Sequence, residues 1–431
     1  MPPRLPALLA DPPAAEGRLW LRDARLFDGT GAAPLERVSV LVEGGRIAGV
    51  ATGGDDPPEG AAVVDLGGRT LLPGLIDAHA HVSSDTERSP GFGPPPELHG
   101  EDPRPRELGW FVLAKSASAM LDAGITTVRD VGSYDGEAIV LRHALALGLA
   151  DGPRILSCGK IVSATAPGAR IFGTMYREAD GPSEMRKAVR EQIRDGADYI
   201  KIMATGARSV VREDPEPAQM TREEVQAVVD EAHRMGFRVA AHAEGLGGAR
   251  IAVEEGVDTI EHGLSLHRAP ELLARMAERG IVLVPTLSTF DDLAERFAPM
   301  FAARLVDQAR HQAEDARMTL VAAQRAGVTL AMGYDSGPPG ASANELVRMA
   351  EGGIGAAAAI RAATAGSAEA LGLLDRIGTV EVGKVADLLV VDGDPTADPS
   401  VLLEPARRWL VIQAGRPVAG EGRRSGGWPS R

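Results

Sequence analysis

The chain of 431 residues contains a single cysteine, Cys158. One cysteine excludes an intrachain disulfide and a thiolate cluster for structural zinc, and it favours a reducing compartment such as the cytoplasm. No apolar run predicts a membrane span, because the Ala-rich stretch 354–374 contains Arg361 and Glu369. Prolines interrupt the N-terminal apolar patch, so we expect no export signal.

Basic residues are in the minority, since 46 Lys and Arg stand against 60 Asp and Glu and give a net charge of −14. Such a surface repels polyanions, so we expect small-molecule partners and no nucleic acid or membrane. The hydrophobic fraction of 44% is ordinary for a folded protein. The length suffices for a domain of about 250 to 300 residues plus a smaller one, and a homo-oligomer stays open.

Short strand patterns separated by Gly, Asp and Pro turns occupy both ends of the chain, at 19–72 and 378–412. We therefore predict a small β-sandwich domain built from residues 1–72 and 376–431. Between these ends a strand followed by a helix recurs eight times, with candidate strands beginning at 75, 126, 154, 199, 238, 259, 281 and 329.

Eight such repeats favour a closed parallel barrel, so residues 73–375 are predicted to form a (β/α)8 TIM barrel in an α/β protein. An open doubly wound sheet is the alternative, but the Gly-rich turn 245–248 lacks the dinucleotide spacing. That turn is interpreted as a loop hinge or a helix start. The segment Thr221-Arg-Glu-Glu224 has the pattern of a capping box at a helix start.

Polar residues end several of these strands, where barrel enzymes carry their chemistry. His79 and His81 are two residues apart on one strand, so their side chains point the same way and can bind one cation together. Four histidines and an aspartate fit divalent ions, with zinc first. The strand-end residues are His79, His81, Lys201, His242, His262 and Asp335.

Lys201 is unusual among these residues because an ammonium group is unfavourable beside cations and within the apolar strand 199–203. Addition of carbon dioxide to the neutral amine would give a carbamate, an anionic oxygen ligand that can bridge two metal ions. The alternative is an ion pair of Lys201 with Asp198 or Glu244.

Several motifs of this chain resemble the amidohydrolase superfamily over residues 19–418: Leu-Pro-Gly-Leu-Ile-Asp-Ala-His-Ala-His, Tyr-Ile-Lys-Ile-Met, His-Ala-Glu, Ile-Glu-His-Gly, Tyr-Asp-Ser and the segment 378–392. The lysine-containing arrangement looks closest to the imidazolonepropionase-like group, which includes Xaa-Pro dipeptidases, related carboxypeptidases and ochratoxin-type amidases. The resemblance implies two divalent ions. His79, His81, Lys201 and Asp335 would hold one ion, and Lys201, His242 and His262 the other.

The resemblance implies hydrolysis of an amide-type C–N bond in a dipeptide, an N-acyl amino acid or a cyclic amide. A hydroxide shared by the two ions would attack the carbonyl carbon, and Asp335 would pass the proton to the leaving nitrogen. Two alternatives stay open. One is a mononuclear deaminase that uses Glu244, and the other is a metal-free barrel that serves as an interaction module.

Substrate contacts are expected from the loops after the third and fourth strands, where Arg170 and Arg208 could each bind a carboxylate. Ion pairs with the local acids Glu178, Asp180, Glu213 and Asp214 are the alternative. His267 follows the sixth strand and faces either substrate or solvent. Pro-Gly-Ala-Arg170 replaces the Gly-Gly-His run expected of a dipeptidase, which argues against that activity. The Pro-rich segment 89–106 is either a lid or a passive loop.

Overall fold

The computed structural model describes residues 14–53, 56–82, 108–207, 210 and 212–424. The Pro-rich segment 89–106 lies outside the described residues. Within them the chain forms the strands β1 (Arg18–Leu26), β2 (Leu35–Glu43), β3 (Arg46–Thr52), β4 (Ala62–Asp65), β5 (Thr70–Pro73), β6 (Leu75–Ala80), β7 (Ile125–Asp130), β8 (Arg154–Ser157), β9 (Ile161–Ser163), β10 (Tyr176–Glu178), β11 (Ile200–Met203), β12 (Val239–Ala243), β13 (Thr259–His262), β14 (Val282–Val284), β15 (Leu388–Val391), β16 (Arg408–Gln413) and β17 (Arg416–Ala419).

Helices follow the strands of the central region, as the repeating pattern predicted. None of the described helices combines the length and hydropathy that a membrane crossing requires. The helices are α1 (Leu108–Asp122), α2 (Glu137–Ala146), α3 (Gly168–Phe172), α4 (Gly181–Arg194), α5 (Arg222–Arg234), α6 (Leu246–Glu255), α7 (Pro270–Arg279), α8 (Leu287–Ala294), α9 (Ala303–Arg325), α10 (Ala343–Met349), α11 (Ala356–Arg361) and α12 (Ser367–Ala370).

Both chain ends contribute to one sheet with the order β17-β16-β15-β5-β1-β2-β3, in which β4 pairs with β1. The ends meet where β5 pairs antiparallel with β15 and Leu72 lies opposite Leu389. Leu21, Val40 and Leu388 are buried in one apolar cluster of this sheet, so burial of the alternating apolar residues stabilises it. The sandwich that the sequence predicted stays a prediction.

The central strands pair in parallel and form two sheets, β6-β7-β8 and β10-β9-β11-β12-β13-β14. These sheets are not joined into one closed sheet by strand pairing. Backbone hydrogen bonds cross both gaps: Asp198 N donates to Ser157 O at 2.8 Å at one, and at the other Ala78 N donates to Met332 O at 2.8 Å and Asp335 N donates to His79 O at 2.9 Å. The chain is therefore an α/β protein with parallel strands and intervening helices, and closure into a barrel stays a prediction.

Two helix starts agree with the sequence. Thr221 caps α5 through a complete capping box with Glu224, which satisfies backbone N–H groups that the first helical turn leaves free. Gly245 precedes α6, so the Gly-rich turn is a helix start. A Cβ atom at Gly248 would lie 2.5 Å from the Cγ2 atom of Thr205. The close packing of α6 against the segment after β11 therefore requires glycine at this position.

Candidate metal centre

The strand-end residues selected from the sequence line one cleft. His79 lies on β6 and His81 directly after it, Lys201 lies on β11 and His242 on β12, and His262 ends β13. Asp335 follows the segment that pairs with β14 and β6, and its N–H donates to His79 O at 2.9 Å. The cleft contains about 510 Å³ of empty space, counted with its opening.

The ligand atoms of three of these residues are close enough to share a cation. One atom from each of His79, His262 and Asp335 lies within 4.8 Å of the other two. His79 Nε2 and His81 Nε2 lie 3.6 and 3.7 Å from Asp335 Oδ1. The rings of His242 and His262 have centroids 4.6 Å apart. His79, His262 and Asp335 form a candidate metal site, and the imidazoles of His81 and His242 adjoin it.

Hydrogen bonds behind the β6 imidazoles determine which nitrogen atom faces the cleft. His79 Nδ1–H donates to Glu261 Oε2 at 2.6 Å, and His81 Nδ1–H donates to Gly132 O at 2.8 Å. Both rings therefore keep an unprotonated Nε2 atom as the ligand atom. An acceptor behind a histidine is the usual way in which proteins orient a metal ligand.

His242 and His262 are also oriented by hydrogen bonds to protein oxygen atoms, His242 through Nε2 and His262 through Nδ1. His242 Nε2–H donates to Gly206 O at 3.1 Å, so Nδ1 is its ligand atom. His262 Nδ1 lies 2.6 Å from Thr286 Oγ1. Because that hydroxyl donates its own hydrogen to Pro285 O at 2.8 Å, it accepts from His262 and leaves His262 Nε2 unprotonated.

Burial keeps these groups in the form that binds metals. Burial lowers the pKa of His79 well below its usual value and that of His81 to about 4, so both rings are neutral near pH 7. Burial also lowers the pKa of Lys201 to about 8. The Lys201 Nζ atom is buried and has no hydrogen-bond partner among the described residues.

Neither acid proposed as an ion-pair partner of Lys201 is bonded to it. Asp198 accepts hydrogen bonds from the Arg142 guanidinium and from Ser157 N. Glu244 Oε1 lies 3.5 Å from His242 Nε2. An unpaired buried ammonium is unfavourable, so the lysine fits a site in which its amine becomes part of an anion.

Three residues at the site have a positive φ that side chains rarely adopt: 70° at His262, 49° at Thr286 and 41° at Asp335. Each such residue costs on the order of 1–3 kcal/mol and persists only where its surroundings enforce it. Here the enforcing contacts are the hydrogen bonds of His262 to Thr286 and of Asp335 to His79.

Sequence reasoning missed the buried ion pair beneath the site. Glu261 Oε1 accepts from Arg129 Nη2 at 2.7 Å, while its other oxygen holds His79. The Arg129 Nε–H group donates to Ala78 O at 2.6 Å. The available signal was a charged residue within each of two predicted barrel strands, Arg129 in β7 and Glu261 in β13.

The predicted substrate contacts lie elsewhere or outside the described residues. Arg170 on α3 is exposed and is not among the described residues that line the cleft. His267 Nδ1 lies 3.0 Å from Thr319 Oγ1 on α9, and His267 does not line the cleft either. Arg208 lies outside the described residues.

The local acids accept hydrogen bonds from backbone amides. Glu178 Oε1 accepts from Ala166 N, and Asp180 Oδ1 accepts from Thr165 N. Glu213 accepts from Gly168 N at 2.6 Å and from Ala207 N at 2.8 Å. The acids therefore order the two loops that the sequence selected, and the structure shows no ion pair of Arg170 with them.

Residues 70–418 match the model of the amidohydrolase family. This match spans more than half of the chain, which therefore belongs to the amidohydrolase family. The resemblance seen in the sequence motifs is confirmed. The chain is a hydrolase that acts on C–N bonds, and enzymes of this family generally depend on metal ions.

The similar proteins include enzymes with different substrates. Ochratoxinase of Aspergillus niger is 29% identical over 415 residues, which cover 90% of this chain and 84% of that protein. The crystal structure of A. niger ochratoxinase matches with a TM-score of 0.81 at 27% identity, and the match covers 94% of this chain and 96% of the ochratoxinase chain. A Xaa-Pro dipeptidase with bound methionine in its active site has a TM-score of 0.82 at 31% identity, with coverage of 93% and 99%. Imidazolonepropionase of Symbiobacterium thermophilum is 25% identical and covers 76% of each chain.

Proposed function

We propose that this chain is a binuclear metal-dependent hydrolase that cleaves an amide-type C–N bond in a dipeptide, an N-acyl amino acid or a cyclic amide. One observation carries the proposal. Lys201 Nζ is buried without a hydrogen-bond partner among the described residues, in a cleft that four histidines and Asp335 also line. Such a donor set suits zinc.

The donor set divides into two groups that share the lysine. His79, His81, Lys201 and Asp335 would hold one cation, and Lys201, His242 and His262 would hold the second. The hydrogen bonds support this donor set, since each of these histidines is oriented by a protein oxygen at one ring nitrogen. Two divalent ions, with Zn first, are the proposed cofactors.

The lysine would act as a carbamate. Its neutral amine adds carbon dioxide, an N–C bond forms, one proton leaves and the product carries a negative charge on two oxygen atoms. Burial of Nζ favours this reaction because the alternative is a desolvated ammonium beside cations. Two oxygen atoms also allow one side chain to reach both cations.

The cations, when bound, lower the pKa of water and polarise a carbonyl oxygen. The carboxylate of Asp335 would accept the proton of the attacking water and donate it to the leaving nitrogen. Thr289 Oγ1 lies 3.0 Å from Asp335 Oδ2 and donates to its carbonyl oxygen at 2.6 Å. These contacts hold the carboxylate on the cleft side of its loop.

The proposal also includes a closed barrel and a β-sandwich domain. We infer that the parallel strands form a distorted (β/α)8 barrel over residues 73–375, because backbone hydrogen bonds cross the gaps between the two parallel sheets. Residues 1–72 and 376–431 would form the β-sandwich domain. A cytoplasmic location and a homo-oligomer remain predictions.

A lysine variant tests the two-metal site. Lys201→Ala should bind one zinc equivalent fewer than wild type and lose at least 99% of its activity on an amide panel. Lys115→Ala is the matched control, because this lysine is exposed on α1. A second readout is the ¹³C NMR signal of a carbamate formed with labelled carbon dioxide. Two bound ions in Lys201→Ala, or no carbamate signal in wild type, would contradict the bridging role.

A mononuclear deaminase is the second candidate, and Glu244 favours it. This acid is buried, lines the cleft and lies 3.5 Å from His242 Nε2, a position suited to general acid–base catalysis. Release of ammonia without a second organic fragment would support the deaminase. Loss of activity in Glu244→Gln but not in Lys201→Ala would support it as well.

A further inference from the structure

One wall of the cleft is aromatic. The rings of Phe172 and Tyr176 stack with centroids 5.2 Å apart and planes 27° apart, and both residues line the cleft together with Met175. Phe172 and Met175 are each 2% exposed. We define Phe172, Met175 and Tyr176 as the aromatic wall. Tyr176 is its partly exposed member, so its ring is available for stacking, while Phe172 and Met175 line the cleft with apolar atoms.

The wall is connected to the loop after β11 by one carboxylate. Glu213 Oε1 accepts from Gly168 N, at the start of the helix that ends in Phe172, and Oε2 accepts from Ala207 N. Ala207 lines the cleft as well. Both oxygen atoms of Glu213 are therefore used, one for each loop.

Two glycines make room for this carboxylate. A Cβ atom at Gly168 would lie 2.9 Å from Glu213 Oε1, and one at Gly206 would lie 3.0 Å from Glu213 Cβ. Contacts this short force a shift of the neighbouring atoms. The glycines therefore leave the space that the Glu213 side chain occupies between the two loops.

Charged groups of the cleft are concentrated at its metal end. Among the described residues that line it, the charged or ionisable ones are the six candidate ligands, Glu244 and Tyr176, and none is an arginine. The remaining lining residues are apolar except Thr289. Among the described residues, a substrate group that lies against the aromatic wall therefore meets mainly apolar atoms.

We propose that the aromatic wall binds a flat apolar group of the substrate, such as a phenyl ring next to the scissile amide, and that Glu213 is the residue that positions the wall. The proposal rests on the proposed amide hydrolysis and adds the substrate class. Ring stacking and burial of a phenyl group favour such a substrate over one that carries a methyl group in the same place.

Matched substrates test the wild-type chain loaded with zinc. N-benzoylalanine and N-acetylphenylalanine place the ring on the acyl and amine sides, and N-acetylalanine lacks it. We expect kcat/KM for at least one ring-bearing substrate to exceed that of N-acetylalanine by at least tenfold. Hydrolysis of all three at similar rates would overturn the aromatic wall and leave the amide hydrolase intact.

A binding measurement without hydrolysis distinguishes failure of the aromatic-wall proposal from failure of the proposed amide hydrolysis. Acetophenone and acetone differ by the ring and have no C–N bond to cleave, so calorimetry can compare their affinities directly. We expect acetophenone to bind at least tenfold tighter. If none of the three amides is hydrolysed while this preference holds, hydrolysis of N-acyl amino acids is excluded from the proposed function and the aromatic wall stands. Equal affinities would refute the wall.

Two variants with matched controls assign the residues. Phe172→Leu keeps apolar volume but removes the ring, so the preference for acetophenone should fall at least threefold. Phe111→Leu, at a side chain 74% exposed, should keep the wild-type preference.

Glu213→Gln retains one acceptor oxygen but turns an NH₂ group toward the second N–H. We expect its KM for ring-bearing amides to rise at least fivefold with kcat within twofold, whereas exposed Glu216→Gln should match wild type. An unchanged KM in Glu213→Gln would exclude its positioning role.

Discussion

Thr286 Oγ1 accepts the Nδ1–H of His262 at 2.6 Å while it donates its own hydrogen to Pro285 O at 2.8 Å. The single donor hydrogen of the hydroxyl is thus used by Pro285, so toward His262 the oxygen acts as an acceptor. Both residues have a positive φ, so the backbone is held in an unfavourable conformation at the point where the contact forms. The arrangement selects one tautomer of His262.

Thr286→Val should weaken metal binding with little change in stability. Valine has the same branching at Cβ, so backbone strain is similar, but it removes the acceptor that fixes the His262 tautomer. We expect zinc affinity, measured by competition with a chelator, to fall about 10- to 100-fold. Thr286→Ser should restore it, and the exposed Thr52→Val is the control. Unchanged affinity in Thr286→Val would show that the tautomer is fixed by other contacts.

The buried pair of Arg129 and Glu261 predicts a large, metal-independent loss of stability. Glu261→Gln leaves the Arg129 guanidinium buried without a counter-charge, so the free energy of unfolding of the metal-free chain should fall by about 3–5 kcal/mol. Arg129→Met should be similarly destabilising, and the double variant should recover part of the loss. Denaturant unfolding measures all three.

An exposed ion pair provides the control for the buried pair of Arg129 and Glu261. Arg22 and Asp65 are joined at 2.6 Å, but each side chain is about half exposed, so Asp65→Asn should cost no more than about 1 kcal/mol. Equal losses in Glu261→Gln and Asp65→Asn would mean that burial of the first pair has no energetic consequence.

The six candidate ligands could be selected from the sequence, and the structure places them in one cleft, because their signals are local. His79 and His81 follow an apolar run with the alternation of a strand, and Lys201 interrupts another such run. Parallel strand ends then bring distant positions together. The helix start at Thr221 was predictable for the same reason, since a capping box involves only four consecutive residues.

Other features depend on contacts between distant residues, which no local pattern reveals. The strands β9 and β10 have three residues each, too few for a periodic pattern, and they exist because β10 pairs with β9 and β9 pairs with β11. The predicted strand 329–332 forms only an isolated bridge at Leu330. Glu261 has Arg129 as a partner 132 residues away, and sequence alone does not identify such a pair.

The buried carboxyl of Glu345 predicts a pH-dependent stability. It accepts from Leu287 N and Ser288 N at the start of α8, and burial raises its pKa from 4.5 to about 8. The folded state therefore binds this proton more tightly than the unfolded state. The resulting stabilisation is complete below about pH 4.5 and is lost as the pH rises through about 8.

Glu345→Gln removes this proton linkage, so the difference in unfolding free energy between wild type and variant should shrink from pH 5 to pH 9. Glutamine also has one acceptor oxygen for two N–H groups, and we expect it to be less stable at pH 5 by about 1–3 kcal/mol. Denaturant unfolding at pH 5, 7 and 9 measures both effects. Exposed Glu351→Gln should be indistinguishable from wild type. Parallel stability curves would contradict the raised pKa.

His267→Ala should affect stability rather than substrate binding. The 3-10 turn Leu266–Arg268 directs His267 toward α9, where its Nδ1 atom contacts Thr319 Oγ1 and Leu264 O. We expect KM and kcat to stay within twofold of wild type, while loss of the partly buried contact lowers the unfolding free energy by about 1 kcal/mol. Exposed His311→Ala controls for the loss of an imidazole without this contact. A severalfold rise in KM for His267→Ala at unchanged stability would instead restore the substrate role that the sequence suggested.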